Sequence, residues 1–112
     1  VVESMRVIGD VKDRNVILLD DLIDTAGTLT KAADMLMDSG AKSVRAYCTH
    51  PVLSGKAYER IENSQLDELV VSNTIPLKKE SPKIKVISVA EHFARVMWNV
   101  HHHESISSHF IM

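Results

Sequence analysis

Three carboxylates and a hydroxyl-rich turn crowd into one short stretch of this chain. The apolar run Val16-Ile17-Leu18-Leu19 ends in Asp20 and Asp21; Asp24 follows, then Thr25-Ala26-Gly27-Thr28. Carboxylates repel anions, whereas a small turn leading into a helix attracts them, because the first backbone amides of a helix have no intrahelical acceptor. The helix dipole alone supplies about 0.3–1 kcal/mol at an exposed site. Several amide and hydroxyl bonds to a charged phosphate, at about 1.5–3 kcal/mol each, dominate it. Gly27 permits close backbone approach, and Thr25 and Thr28 offer hydroxyl donors, so the turn from Asp24 to Thr28 can hold a monophosphate without a basic residue. Asp20 and Asp21 then need a different partner. Paired acceptors suit the vicinal hydroxyls of a sugar, and they suit Mg²⁺, directly or through its waters. One ligand satisfies both halves: a sugar phosphate, with ribose 5-phosphate the simplest case.

The plain alternative is a helix capped by Asp24 or Thr28 and a solvated strand end at Asp20 and Asp21. The ordered run of apolar strand, Asp-Asp, two apolar residues, Asp-Thr-Ala-Gly-Thr and amphipathic helix favours a site. The turn lacks the Gly-Lys-Ser/Thr of a P-loop and the GxGxxG of a dinucleotide fingerprint.

The elements that must position these residues read as an alternating series. Residues 16–19 predict a strand buried on both faces of a parallel sheet. That puts Asp20 and Asp21 at its carboxyl end, where open α/β sheets bind ligands. Leu29, Ala32, Ala33, Leu36 and Met37 form one helical stripe, and Gly40 takes the left-handed position after the last turn. Residues 44–48, 69–72 and 84–87 predict three further strands. Ser54 is the expected cap of a short helix over 55–63. Ser88-Val89-Ala90-Glu91 fits a capping box opening a last helix, with Ala90, Phe93, Ala94, Met97 and Val100 on one face. Residues 74–82, with two prolines, read as a loop. The order predicts an α/β fold with a mostly parallel sheet flanked by helices.

At 112 residues the chain is one domain, 1–112. Its opening Val-Val, without an initiator Met, hints at a piece of a longer protein. Thirteen Lys and Arg against 15 Asp and Glu give a net charge of −2, which argues against a nucleic-acid partner. No apolar run is long enough to span a membrane and no signal-peptide pattern opens the sequence, so no membrane partner is expected. Cys48 is the only cysteine, which rules out an internal disulfide and suggests a reducing cytoplasm. On a strand, Cys48 reads as a small core residue rather than a nucleophile. His101, His102 and His103 are consecutive, so they cannot converge on a metal as i, i+4 ligands do, and they read as a solvated helix end.

"ILLDDLIDTAGTLT" resembles the signature of type I phosphoribosyltransferase-fold proteins. Together with "GDVKDRNVILLDDLIDTAGTL", "SGAKSVRAYCTHPVLSGKA", "VVSNTIP" and "ESISSHF", it is similar to the C-terminal domain of the ribose-phosphate pyrophosphokinase family over nearly the whole chain. The resemblance implies that the anomeric hydroxyl of ribose 5-phosphate attacks the β-phosphorus of MgATP and AMP leaves. It implies that Asp24, Thr25, Ala26, Gly27 and Thr28 cradle the 5-phosphate, and that Asp20 and Asp21 hold the ribose hydroxyls and organise Mg²⁺. Ser105, Ser107 and Phe110 match a regulatory site for ADP or phosphate found in some members. The family's basic catalytic loop would lie before Val1, and its ATP contacts come mainly from a further domain. This piece alone is therefore expected to be inactive, and self-association is expected of the parent. A type I phosphoribosyltransferase and a non-catalytic regulatory homologue stand as alternatives. The first needs a base-recognising hood that no segment supplies, and the second usually loses parts of the motif kept here.

Overall fold

The computed structural model describes residues 5–110. Four strands, β1 (Asn15–Ile23), β2 (Ser43–Pro51), β3 (Glu68–Ser72) and β4 (Ile84–Ile87), form one sheet in sequence order, each parallel to the next. Helix α1 (Gly27–Asp38) connects β1 to β2, and α2 (Ala57–Asn63) connects β2 to β3. Residues 73–83 join β3 to β4 without a helix. The chain then continues into α3 (Ala90–His101) and a short 3₁₀ turn at Ser107–His109. This is the α/β architecture with a parallel sheet that the element order predicts.

Register fixes which side chains share a face. Leu18 lies beside Ala46, Ala46 beside Leu69 and Leu69 beside Ile84. The last three are buried, and together with Leu29, Ala33 and Leu36 of α1 and Ala57, Tyr58 and Ile61 of α2 they form the core. Burying a large apolar side chain contributes roughly 1.5–3 kcal/mol, so this seam is what holds the two helices on the sheet. Helix α1 stops where expected: Gly40 adopts φ +98°, and the Gly40 and Ala41 amides close on the carbonyls of Met37 and Leu36.

The opposite face differs from expectation. β1 is not buried on both sides, since Ile17 and Leu19 are 60% and 80% exposed. Both packed helices lie on the other face, and α3 buries none of its residues. Its stripe of Phe93, Met97 and Val100 is exposed. The radius of gyration, 16.6 Å, reflects this arrangement, because a compact chain of this length measures about 13 Å.

Two caps also differ. Ser54 does not cap α2, whose N-cap is Lys56; its hydroxyl turns to Asp24 instead. The box at α3 forms only its serine half: Ser88 Oγ accepts from the Ala90 amide at 3.3 Å. Glu91 pairs with Arg95 one turn along, while Asn73, reaching over from the end of β3, accepts from the Val89 amide at 2.9 Å and donates to Ser88 Oγ at 3.1 Å. At α2 a partner distant in sequence displaces the local cap, and at α3 one reinforces it.

Candidate sugar-phosphate site

β1 runs further than its apolar residues suggest. Asp20 still pairs with Cys48, and Leu22 and Ile23 pair with His50 and Pro51. The two acids therefore sit within the last half of the strand rather than beyond it, and both are exposed. Asp20 Oδ1 accepts from the Leu22 amide at 3.3 Å. Burial pushes the Cys48 thiol behind them above its ordinary range. Hydrogen bonds with the backbone at His50 and Ile23 oppose that rise, and the charges of Asp20 and Asp21 add to it. A buried neutral thiol packs as a small apolar group, not as a nucleophile.

Helix α1 begins at Gly27, two residues before the first residue of its apolar stripe, and its N-cap is Ala26 in the left-handed conformation, φ +63° and ψ +10°. No side chain caps this end and no acid occupies the first turn. Neither Asp24 nor Thr28 acts as the cap, so the first-turn amides remain available to an anion. The conformational demand falls on Ala26 rather than Gly27. A β-carbon at Gly27 would meet Arg60 Nη1 at 3.7 Å and Thr25 Oγ1 at 3.8 Å, ordinary contacts. Gly27 leaves room; it does not supply an unusual φ.

Three groups secure this turn from behind. Thr30, buried in the first turn of α1, donates its hydroxyl to Ala26 O at 2.7 Å. Ser54 donates its amide to Asp24 O at 2.8 Å and its hydroxyl to Asp24 Oδ1. Arg60, on α2, donates to Thr25 O at 2.9 Å. No local sequence signal pairs Ser54 or Arg60 with this turn, since each lies 30 or more residues from its partner.

Two hollows result. One, of about 290 Å³, is lined by the chain from Asp20 to Leu29 except Asp21. The other, of about 510 Å³, lies on the open sheet face, with Leu19, Tyr47, Val70 and Ile87 on its floor and both Asp20 and Asp21 at its rim. The larger is mainly apolar and owes its size to the uncovered sheet; the smaller is lined by the whole turn from Asp24 to Thr28. Asp20 borders both. Asp20, Asp24, Thr25, Ala26, Gly27 and Thr28 thus surround one hollow, and Asp21 faces its neighbour. Ser105, Ser107 and Phe110 are not part of it. The two serine hydroxyls lie 3.0 Å apart, the Asn99 side chain donates to Ser105 O, and Phe110 is exposed. The histidines after α3 are also apart from it: His102 stacks on Trp98 at 3.9 Å between ring centroids, and His103 turns the chain at φ +57°.

No cluster of three or more His, Cys, Asp or Glu that would enclose a metal exists among the described residues. Mg²⁺ does not require one, because it keeps several waters and takes one or two carboxylates plus substrate phosphates. The exposed Asp20 and Asp21 fit that mode of binding and no all-protein cage.

A parallel α/β sheet whose first strand carries an acid pair in its last half and leads through a short turn into a helix with no side-chain cap defines a type I phosphoribosyltransferase-like domain. The chain belongs to the phosphoribosyl synthetase-associated domain family, which it matches over residues 2–111. It is 63% identical over 109 residues to a ribose-phosphate pyrophosphokinase of Campylobacter jejuni, covering 97% of this chain and 35% of that protein. It is 52% identical over 110 residues to one of Clostridium tetani, covering 96% of this chain and 34% of that protein. The crystal structure of phosphoribosylpyrophosphate synthetase from Mycobacterium smegmatis superposes with a TM-score of 0.87 at 38% identity, over 91% of this chain and 35% of that one. The chain thus spans about a third of the length of these relatives. No helix among the described residues is long and apolar enough to cross a membrane.

Proposed function

We propose that this chain is the ribose 5-phosphate-binding part of a cytoplasmic ribose-phosphate pyrophosphokinase, the C-terminal part of a two-domain enzyme. The observation that carries the reading is the position of Asp20 on the wall shared by the two hollows. A phosphate seated on the turn puts its pentose against that wall. The rest of the chemistry then has the rim of the open cleft to occupy.

In this reading the first-turn amides of α1 and the hydroxyls of Thr25 and Thr28 hold the 5-phosphate. Asp20 and Asp21 accept hydrogen bonds from the ribose hydroxyls and fix the ring. The anomeric oxygen forms a bond to the β-phosphorus of ATP, the bond from that phosphorus to the oxygen it shares with the α-phosphate breaks, AMP leaves with that oxygen, and the anomeric proton is lost. Holding the acceptor in line is this chain's contribution, since phosphoryl-type transfer depends mainly on positioning and charge stabilisation. Mg²⁺ bound at Asp20 and Asp21 through its waters would supply neutralisation of the transferring diphosphate. In this reading the Lys and Arg side chains that touch that diphosphate come from parts of the enzyme outside this chain, as does most of the ATP site. Ser105, Ser107 and Phe110 form an effector site for ADP or phosphate in the same reading.

Calorimetry with ribose 5-phosphate tests it. The 112-residue chain binds this ligand and makes no phosphoribosyl diphosphate from it and MgATP. Turnover by the chain alone, or no binding at all, would count against the assignment.

A further inference from the structure

We propose that Arg60 is a positioning residue for the anion turn, locking the Thr25–Ala26 peptide in its anion-accepting orientation. The inference rests on the phosphate-binding reading of that turn. Arg60 Nη1 donates to Thr25 O at 2.9 Å across 35 residues of sequence. Among the described residues Arg60 pairs with no carboxylate, and it borders a separate hollow beside Asp34, Lys56 and Glu59 rather than the anion hollow. Its Nη1 stands beside Gly27, 3.7 Å from where a β-carbon would be, yet Arg60 does not line the anion hollow, so on this proposal its effect runs through the bond with the backbone. The peptide is trans, so its N–H points opposite to its C=O. With the Thr25 carbonyl drawn toward α2, the Ala26 amide is directed away from α2; Ala26 lines the anion hollow, and on this proposal its amide is one of the donors there.

This orientation is costly for the residue that carries it. Ala26 sits at φ +63°, a region that non-glycine residues seldom occupy. Rotating the Thr25–Ala26 peptide by about half a turn, as between type II and type I turns, would return Ala26 to negative φ. The same rotation would aim the Thr25 carbonyl at the phosphate and remove an amide donor. A charge-assisted hydrogen bond from Arg60 to that carbonyl opposes the flip. Arg60 thereby holds open an anion site that it does not itself touch.

The test is a double-mutant cycle on the 112-residue chain, with inorganic phosphate and ribose 5-phosphate as probes at fixed ionic strength. Arg60→Met is expected to weaken both by about tenfold, and Arg60→Lys by less. Adding Ala26→Gly to Arg60→Met should restore most of the loss, because glycine accepts positive φ freely. A residue that merely stabilised the fold, or supplied only charge, would not be rescued in this way. Unchanged phosphate affinity in Arg60→Met, or a loss that Ala26→Gly leaves untouched, overturns the lock. Should Arg60→Met fail to fold, the wild-type chain still decides. Phosphate titration must shift the Ala26 amide resonance, and a still Ala26 among shifting neighbours rejects the proposal. Wild-type chain that binds neither probe removes the phosphate site itself, and the lock with it.

Discussion

Ser54 grips Asp24 at two points: its amide donates to the Asp24 carbonyl at 2.8 Å and its hydroxyl to the Asp24 carboxylate. The Leu53 amide adds a bond to Ile23 O at 3.1 Å. The loop leaving β2 therefore fastens the turn leaving β1, and Asp24 supports that turn more than it offers a free charge to a ligand. Ser54→Ala should cost about 1 kcal/mol, the usual net value of a hydrogen bond, because exposure screens the charge of the acceptor, and should weaken ribose 5-phosphate several-fold. Asp24→Asn, which keeps the acceptor, should retain more of both than Asp24→Ala. Urea unfolding paired with calorimetry measures this; identical behaviour of the two Asp24 variants would contradict it.

Acid pair and turn are predicted to serve different ends of one ligand. Asp20→Asn and Asp21→Asn should weaken ribose 5-phosphate by about tenfold, because a neutral amide oxygen is a weaker acceptor than a carboxylate. They should leave inorganic phosphate binding unchanged or improved, because a nearby like charge has gone. Both residues are exposed, so thermal stability should stay within about 0.5 kcal/mol of wild type. Equal losses for both ligands would refute the division.

Gly27 separates stability from binding. Its backbone is ordinary helix and a β-carbon there makes only van der Waals contacts. Gly27→Ala should therefore stabilise the chain, by about 0.5–1 kcal/mol from helix propensity. The added carbon lies beside Thr25 Oγ1, so phosphate affinity should fall. Melting curves and calorimetry on the same sample decide the matter, and a destabilised variant would mean that the turn needs glycine's freedom after all.

Cys48 gives the chain an alkaline weakness. Its thiol is raised in the fold, chiefly by burial. The unfolded chain therefore loses this proton first as pH rises, from about pH 8.5. The contribution is whole below that point and is lost as pH climbs through the folded value. Urea midpoints measured from pH 7 to 10 should fall more steeply for wild type than for Cys48→Ala. Aromatic disulfide reagents should label the native thiol slowly at neutral pH, and fast labelling would contradict its burial.

Helix α3 should contribute little to the stability of the isolated chain. Phe93→Ser with Met97→Ser is expected to change the unfolding free energy by no more than about 0.5 kcal/mol, as at exposed sites generally. It should also reduce self-association seen in sedimentation, because exposed apolar patches promote contacts between copies. A loss of several degrees in Tm would show that the stripe is packed in solution.

Much of this protein was determined locally. Val16 to Leu19, the stripe from Leu29 to Met37, and the stop at Gly40 carry their structure in residue type and spacing, because helix and strand periods differ and glycine tolerates positive φ. The Asp-Asp and Thr-Ala-Gly-Thr pattern was equally legible, since its chemistry lies within nine consecutive residues. Tertiary structure decided the rest. Pairing with His50 and Pro51 carried β1 past its acids, and two helices on one side left Ile17 and Leu19 bare. Asp24 took its partner from Ser54 and Thr25 from Arg60, contacts that depend on how β2 and α2 fold back over the turn. A left-handed alanine where a glycine stood next door follows from the same cause: backbone strain at one residue is tolerated when bonds from distant elements hold it there.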